Sequence, residues 1–90
     1  MGFYPIYDHI KGIKIYSFKD DISYTIIEKH YNSNITQEQI KEILLLYDHI
    51  EDKSDLHFSI YTLCYSTLDN KEYMSWYPIT IDLLKGKLGL

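Results

Sequence analysis

Thr36-Gln37-Glu38-Gln39-Ile40-Lys41-Glu42-Ile43-Leu44-Leu45-Leu46-Tyr47-Asp48-His49-Ile50 is the stretch that decides the fold. Thr36 followed three residues later by Gln39 is a capping box, in which a hydroxyl and an amide side chain satisfy backbone N–H groups that a helix start leaves free. Glu38 falls in the first turn, where the helix dipole favours a negative charge. Ile40, Ile43, Leu44, Tyr47 and Ile50 then recur at helical spacing and form one apolar stripe. The pattern predicts a helix from about Thr36 to Ile50 that needs a surface to cover.

Strand-forming segments on both sides supply that surface. Upstream, Ile13–Phe18 and Ile22–His30 are rich in β-branched and aromatic residues, and Lys19-Asp20-Asp21 interrupts them like a turn. Paired as a hairpin, they place Ile13, Ile15, Tyr24 and Ile26 on one face by two-residue alternation. The second segment also reads as a short helix capped by Asp20, so both forms stay open at this point. Downstream, Leu56–Leu68 and Glu72–Asp82 flank Asp69-Asn70-Lys71, a hairpin with its turn chemistry in place. Pro78 lacks an N–H and belongs on an edge strand or at a bulge. The order strand, strand, helix, strand, strand predicts an α+β fold: a four-stranded antiparallel sheet with one main helix packed on one face. The tail from Leu83 to Leu90 is expected to be frayed or loosely docked.

Ninety residues suit one domain, and nothing resembling a Pro/Gly/Ser linker divides the chain, so residues 1–90 are expected to form a single domain. Tyr7-Asp8-His9-Ile10 recurs as Tyr47-Asp48-His49-Ile50, but the residues that follow do not match, so the repeat is chance. Met1–Ile6 lacks the basic stretch and apolar run of a secretory leader, and Ile43–Tyr47 is far too short to span a bilayer. Cys64 is the only cysteine, which suits a reducing compartment. The expectation is a cytoplasmic protein with no membrane contact.

Composition limits the chemistry. All nine positive side chains are Lys and none is Arg, and the net charge is −4. Without the bidentate grip of Arg on phosphate, and without a basic stripe, direct nucleic-acid binding is disfavoured. The same skew, with no Ala or Val and abundant Ile, Lys, Tyr and Asn, points to an A/T-rich genome. His9, His30, His49 and His57 read as a loop, a strand end, a helix and a strand start, and none has ligand spacing, so neither metal nor cofactor is expected. Cys64 lies mid-strand beside Phe58 and Ile60 and reads as a small hydrophobe rather than a nucleophile. No nucleophile elbow, phosphate loop or paired catalytic carboxylates are recognisable, and no enzymatic activity is expected.

Two features exceed what a core requires. Leu45 falls among Glu38, Glu42 and His49, opposite the apolar stripe, and the helix runs out into Asp48, Glu51, Asp52 and Asp55 with Lys53 as the one opposing charge. The C-terminal hairpin carries Tyr61, Tyr65, Tyr73, Trp76, Tyr77 and Met74 on strands of which one helix can cover only one face. Asp48, Glu51, Asp52, Asp55, Leu45, Tyr65, Tyr73 and Trp76 are therefore the candidate partner-binding residues. The expectation is a small acidic protein-binding module that inhibits a basic, nucleic-acid-handling protein. Toxin-immunity proteins and phage anti-defence proteins, anti-CRISPRs among them, share this profile of smallness and acidity, a likeness of class and not of sequence. The rivals are an oligomer that sequesters a nucleotide-like ligand between tyrosines, an enzyme of another type, and a structural homodimer.

Overall fold

The computed structural model describes residues 2–86. Its elements follow the order β1 (Phe3–Lys19), β2 (Ile22–His30), α1 (Gln37–Asp48), β3 (Leu56–Ser66), β4 (Lys71–Ile79) and α2 (Ile81–Gly86). The strands form one antiparallel sheet in the order β2-β1-β3-β4. This is the α+β architecture with one main helix that the sequence predicts, with a second short helix added.

The helix begins as its sequence dictates. Thr36 accepts from the Gln39 N–H at 3.2 Å, and the Thr36 N–H donates to the Gln39 side chain at 2.9 Å. Ile40 and Ile43 are buried against Ile13 and Ile15 of β1 and Phe58 and Ile60 of β3, and the Tyr47 ring lies 5.2 Å from that of Phe58. Each large side chain removed from water here contributes roughly 1.5–3 kcal/mol. The acidic exit of α1 is partly compensated by Lys53, whose ammonium donates to the carbonyls of Asp48 at 3.3 Å and Ile50 at 2.5 Å. A cation on the last carbonyls is what the C-terminal end of the dipole favours.

Residues Ile22–His30 are a strand, joined to β1 by a two-residue turn in which Asp20 and Asp21 have φ of 55° and 63°. Positive φ at both central positions defines the tight hairpin turn whose twist matches that of paired strands, and Asp tolerates it. The alternation that places Ile26 with Ile13, Ile15 and Tyr24 fails at a β-bulge: Ile15 pairs with Ile27, Tyr16 pairs with Thr25, and Ile26 has no partner in β1. One extra residue shifts the parity of the strand, so Ile27 packs on the core and Ile26 stays exposed.

Several boundaries differ from the sequence reading: α1 stops at Asp48, β3 stops at Ser66 and β4 already begins at Lys71. His9 belongs to β1 and not to a loop, because β1 continues upstream along β3 through irregular register between Ile6 and Gly12. There the Ile10 and Lys11 carbonyls accept from the N–H groups of Ile35 and Tyr31. β4 ends at Ile79, and the tail folds into α2 instead of fraying as far as Gly86. Thr80 starts α2 by accepting from the Leu83 N–H at 3.2 Å, and Leu84 is only 1% exposed in the core. The remainder of the predicted frayed tail, 87–90, lies outside the described residues. Pro78 sits in β4, an outer strand of the sheet, where its missing N–H costs no ladder bond.

Candidate functional site

Both helices sit on the face that carries Ile13, Ile15, Phe58 and Ile60, and the register shows which residues occupy the other. Four of them form one row across all four strands: His30 of β2 opposite Gly12 of β1, Gly12 opposite Tyr61 of β3, and Tyr61 opposite Trp76 of β4. Gly12 is the reason the row closes over. A Cβ at position 12 would sit 3.0 Å from the Lys29 carbonyl oxygen, 3.1 Å from Tyr61 Cβ and 3.4 Å from the Trp76 ring. With no side chain in that slot, His30 spans it and lies edge-on to Tyr61 at 6.2 Å and to Trp76 at 5.5 Å, while Tyr61 and Trp76 meet at 5.2 Å. The Glu28 carboxylate, on the same face of β2, accepts from His30 Nε2 at 2.8 Å and fixes the ring.

Rows on either side extend the aromatic surface. Lys14 lies across from Ser59, with its ammonium 4.6 Å from the Trp76 ring centroid and 5.5 Å from that of Tyr16. Tyr16 in turn stacks on His57 at 5.6 Å. In the other direction come Ile6, Leu63 and Met74, and then Tyr4 against Tyr65 at 5.6 Å. Aromatic pairs of this kind contribute about 0.5–1.5 kcal/mol each beyond the area they bury. None of the described elements covers this face.

The predicted partner-binding residues are distributed over three places. Trp76 and Tyr65 lie on the open face. Tyr73 pairs with Cys64 on the opposite face, near the β3–β4 turn, and its hydroxyl donates to Asp69, which holds that carboxyl below its usual range and raises the phenol. Tyr65 also serves this turn, donating to the Asn70 side chain at 2.8 Å. Asp48, Glu51, Asp52 and Asp55 gather at the start of β3. Tyr65 is nine residues further along that strand, so roughly 30 Å separates it from the acidic loop. Asp52 acts within its own loop, where its carboxylate accepts from the Ser54 hydroxyl at 2.7 Å and the Ser54 N–H at 3.0 Å, which lowers its pKa. Leu45 is exposed on α1, beside Leu46 and facing the β2 edge.

Sequence reasoning missed His30, Gly12, Lys14, Tyr4, Tyr16 and His57 as members of a surface. Each acquires its role from a neighbour on another strand, and the only available signal was a lone Gly inside a strand pattern, which often marks a close approach. Cys64 is fully buried, and burial pushes its thiol pKa up, the setting of a small hydrophobe packed in the sheet. Among the described residues no group of three His, Cys, Asp or Glu is placed to hold a metal ion, and no helix is long and apolar enough to cross a membrane. No protein-family model matches the chain, and no curated protein or solved structure is significantly similar to it.

Proposed function

We propose that this chain is a noncatalytic protein-binding module that docks through the open aromatic face of its sheet and thereby inhibits a basic, nucleic-acid-handling partner in the cytoplasm. The observation that carries the reading is the row His30, Gly12, Tyr61 and Trp76, held by its own contacts and left uncovered. Tyr, Trp and Met are enriched at interface centres, the two aromatics because they bury large rigid area at small entropic cost and Met because it adapts to the shape it meets. Rings already fixed against one another have less freedom to lose on binding. The acidic loop, about 30 Å along β3 from Tyr65, contributes by steering rather than by sharing the same contact. A net charge of −4 is compatible with a basic partner, and covering the basic surface of a nucleic-acid-handling protein is the form of inhibition proposed.

The rival in which the rings stack on a nucleotide-like ligand has one observation in its favour, a four-stranded sheet with half-buried aromatics on its open face, a geometry related to that used for unpaired bases. Against it, Lys14 lies over the indole face that a base would need, and there is no Arg.

A photo-crosslinking residue placed at Tyr65 on the open face, or at Tyr73 on the opposite face, tests the proposal in cells of the native host. The expected result is one discrete protein adduct from position 65, abolished by Trp76→Ala, and none from position 73. Equal adducts from both positions, or capture of nucleic acid alone from position 65, would overturn it.

A further inference from the structure

The helix side of the sheet has its own uncovered margin, independent of the open face. α1 leaves β2 bare: eight of the nine β2 residues are exposed, and only Ile27 is half-buried. Ile22, Tyr24 and Ile26 of β2 are 52%, 60% and 45% exposed, and Leu45 and Leu46 of α1 are 60% and 40% exposed. A groove of about 300 Å³ runs between the two elements, with Leu45 and Leu46 on one wall and Lys29, Glu42 and His49 around them. β2 also ends the sheet, so the outer row of its backbone N–H and C=O groups has no ladder partner within the sheet.

The two sheet edges are treated differently. β4 carries Pro78, a common guard against further pairing, whereas β2 has neither Pro nor Gly, and its own guards, the bulge at Ile26 and the charged Glu28 and Lys29, are confined to its second half and leave Ile22–Thr25 without one. We propose that β2 pairs antiparallel with β2 of a second copy of this chain, making a continuous eight-stranded sheet about a two-fold axis. Three observations favour a second copy over another occupant. Antiparallel pairing keeps the two acidic Asp20-Asp21 turns apart and sets each near the Glu28-Lys29-His30 end of the other copy, which carries both signs, whereas parallel pairing would set turn against turn. The groove rim holds Lys29 and Glu42, both signs together, and so is neutral towards its own copy although the whole chain is acidic. Ile22, Tyr24, Ile26, Leu45 and Leu46 together leave an apolar margin of roughly 500 Å² beside the strand, of which edge pairing covers the part nearest the seam, and the paired strand backbone adds to it towards the roughly 800 Å² per partner of a standard interface. A two-fold axis of this kind is perpendicular to the sheet, so both open aromatic faces point the same way.

Sedimentation velocity from about 1 µM to about 1 mM is the test, a range that brackets weak and moderate self-association. The wild type is expected to sediment with twice the mass of one chain at the upper end. The double variant Tyr24→Lys with Ile26→Lys, both at exposed positions, should sediment as one chain, and Tyr73→Lys beside the other edge should leave the dimer intact. Amide exchange of the wild type guards against misfolding of the double variant: residues 22–30 should gain protection as concentration rises, and 71–79 should not. A wild type that remains a single chain throughout overturns the proposal. So does a dimer that survives in the folded double variant, an open-ended series of larger assemblies, or protection of 22–30 that does not depend on concentration.

Discussion

Gly12→Ala adds a single carbon where the sheet has least room for one. The new Cβ meets the Lys29 carbonyl oxygen at 3.0 Å, Tyr61 Cβ at 3.1 Å and the Trp76 ring at 3.4 Å. Two of these neighbours are backbone or the root of a side chain, so they yield only if β1 and its flanking strands move apart by a few tenths of an ångström. Overpacking of this sort costs about 1–3 kcal/mol. Alanine recovers about 0.4–1 kcal/mol of it by restricting the unfolded chain, because no left-handed backbone is needed here. The net expectation is a loss near 1 kcal/mol, which for a domain of this size lowers the thermal midpoint by about 4–8 °C. Trp76 is the only tryptophan, so its emission reports on this row alone. Circular dichroism melts with tryptophan emission and acrylamide quenching should show both the lower midpoint and a more accessible indole. A Gly12→Ala protein as stable as wild type with unaltered Trp76 emission would refute the view that an empty slot at Gly12 closes the aromatic row.

Leu84→Ala removes a fully buried side chain from α2 and should cost about 2–5 kcal/mol by denaturant unfolding, whereas a loosely docked tail would lose almost nothing. The carboxyls of Asp69 and Asp52 are both held below their ordinary 3.8, by the Tyr73 hydroxyl and by Ser54 respectively. Their stabilising contribution is present above the ordinary value and disappears as pH falls through the lower folded value, so the melting midpoint should fall on acidification below about pH 4. Changing both to Asn should flatten that fall, and an unchanged slope would show that these hydrogen bonds do not persist in solution. Neutralising the rest of the acidic loop while keeping Asp52, with Asp48 and Asp55 changed to Asn and Glu51 to Gln, should leave the midpoint level or slightly higher, since negative charge near the end of a helix opposes its dipole. The same change should slow association with a basic partner and weaken its dependence on salt, while a clear loss of stability would mark the loop as structural.

The helix could be read from Thr36, Gln39 and the stripe that follows because all its determinants are local. The β3–β4 turn could be read from Asp69 and Asn70 for the same reason. Ile26 and Ile27 could not be told apart, because a bulge shifts parity without altering composition. The short helix α2 was hidden in Ile79-Thr80-Ile81, a run whose β-branched residues favour a strand, and the Thr80 cap together with packing of Leu84 on the core decides otherwise. The surplus of aromatics on the hairpin was legible, and so was the need for some of them to remain outside. What was not legible is that β1 lies between β2 and β3, the arrangement that carries His30 towards Tyr61 and Trp76. Nor was it legible that the acidic loop and Tyr65, both named as candidates, occupy opposite ends of β3.

Docking of a protein partner on the Tyr61–Trp76 row, as proposed, makes Trp76 an anchor whose loss speeds release. The most direct measurement is the dissociation rate of the partner captured through position 65, compared between wild type and a Trp76→Ala variant whose fold is verified by its melt. An anchor at the centre of an interface contributes at least about 2 kcal/mol, so the variant should release the partner roughly 30-fold faster with little change in association rate. Release at the wild-type rate from a folded Trp76→Ala protein would contradict the account.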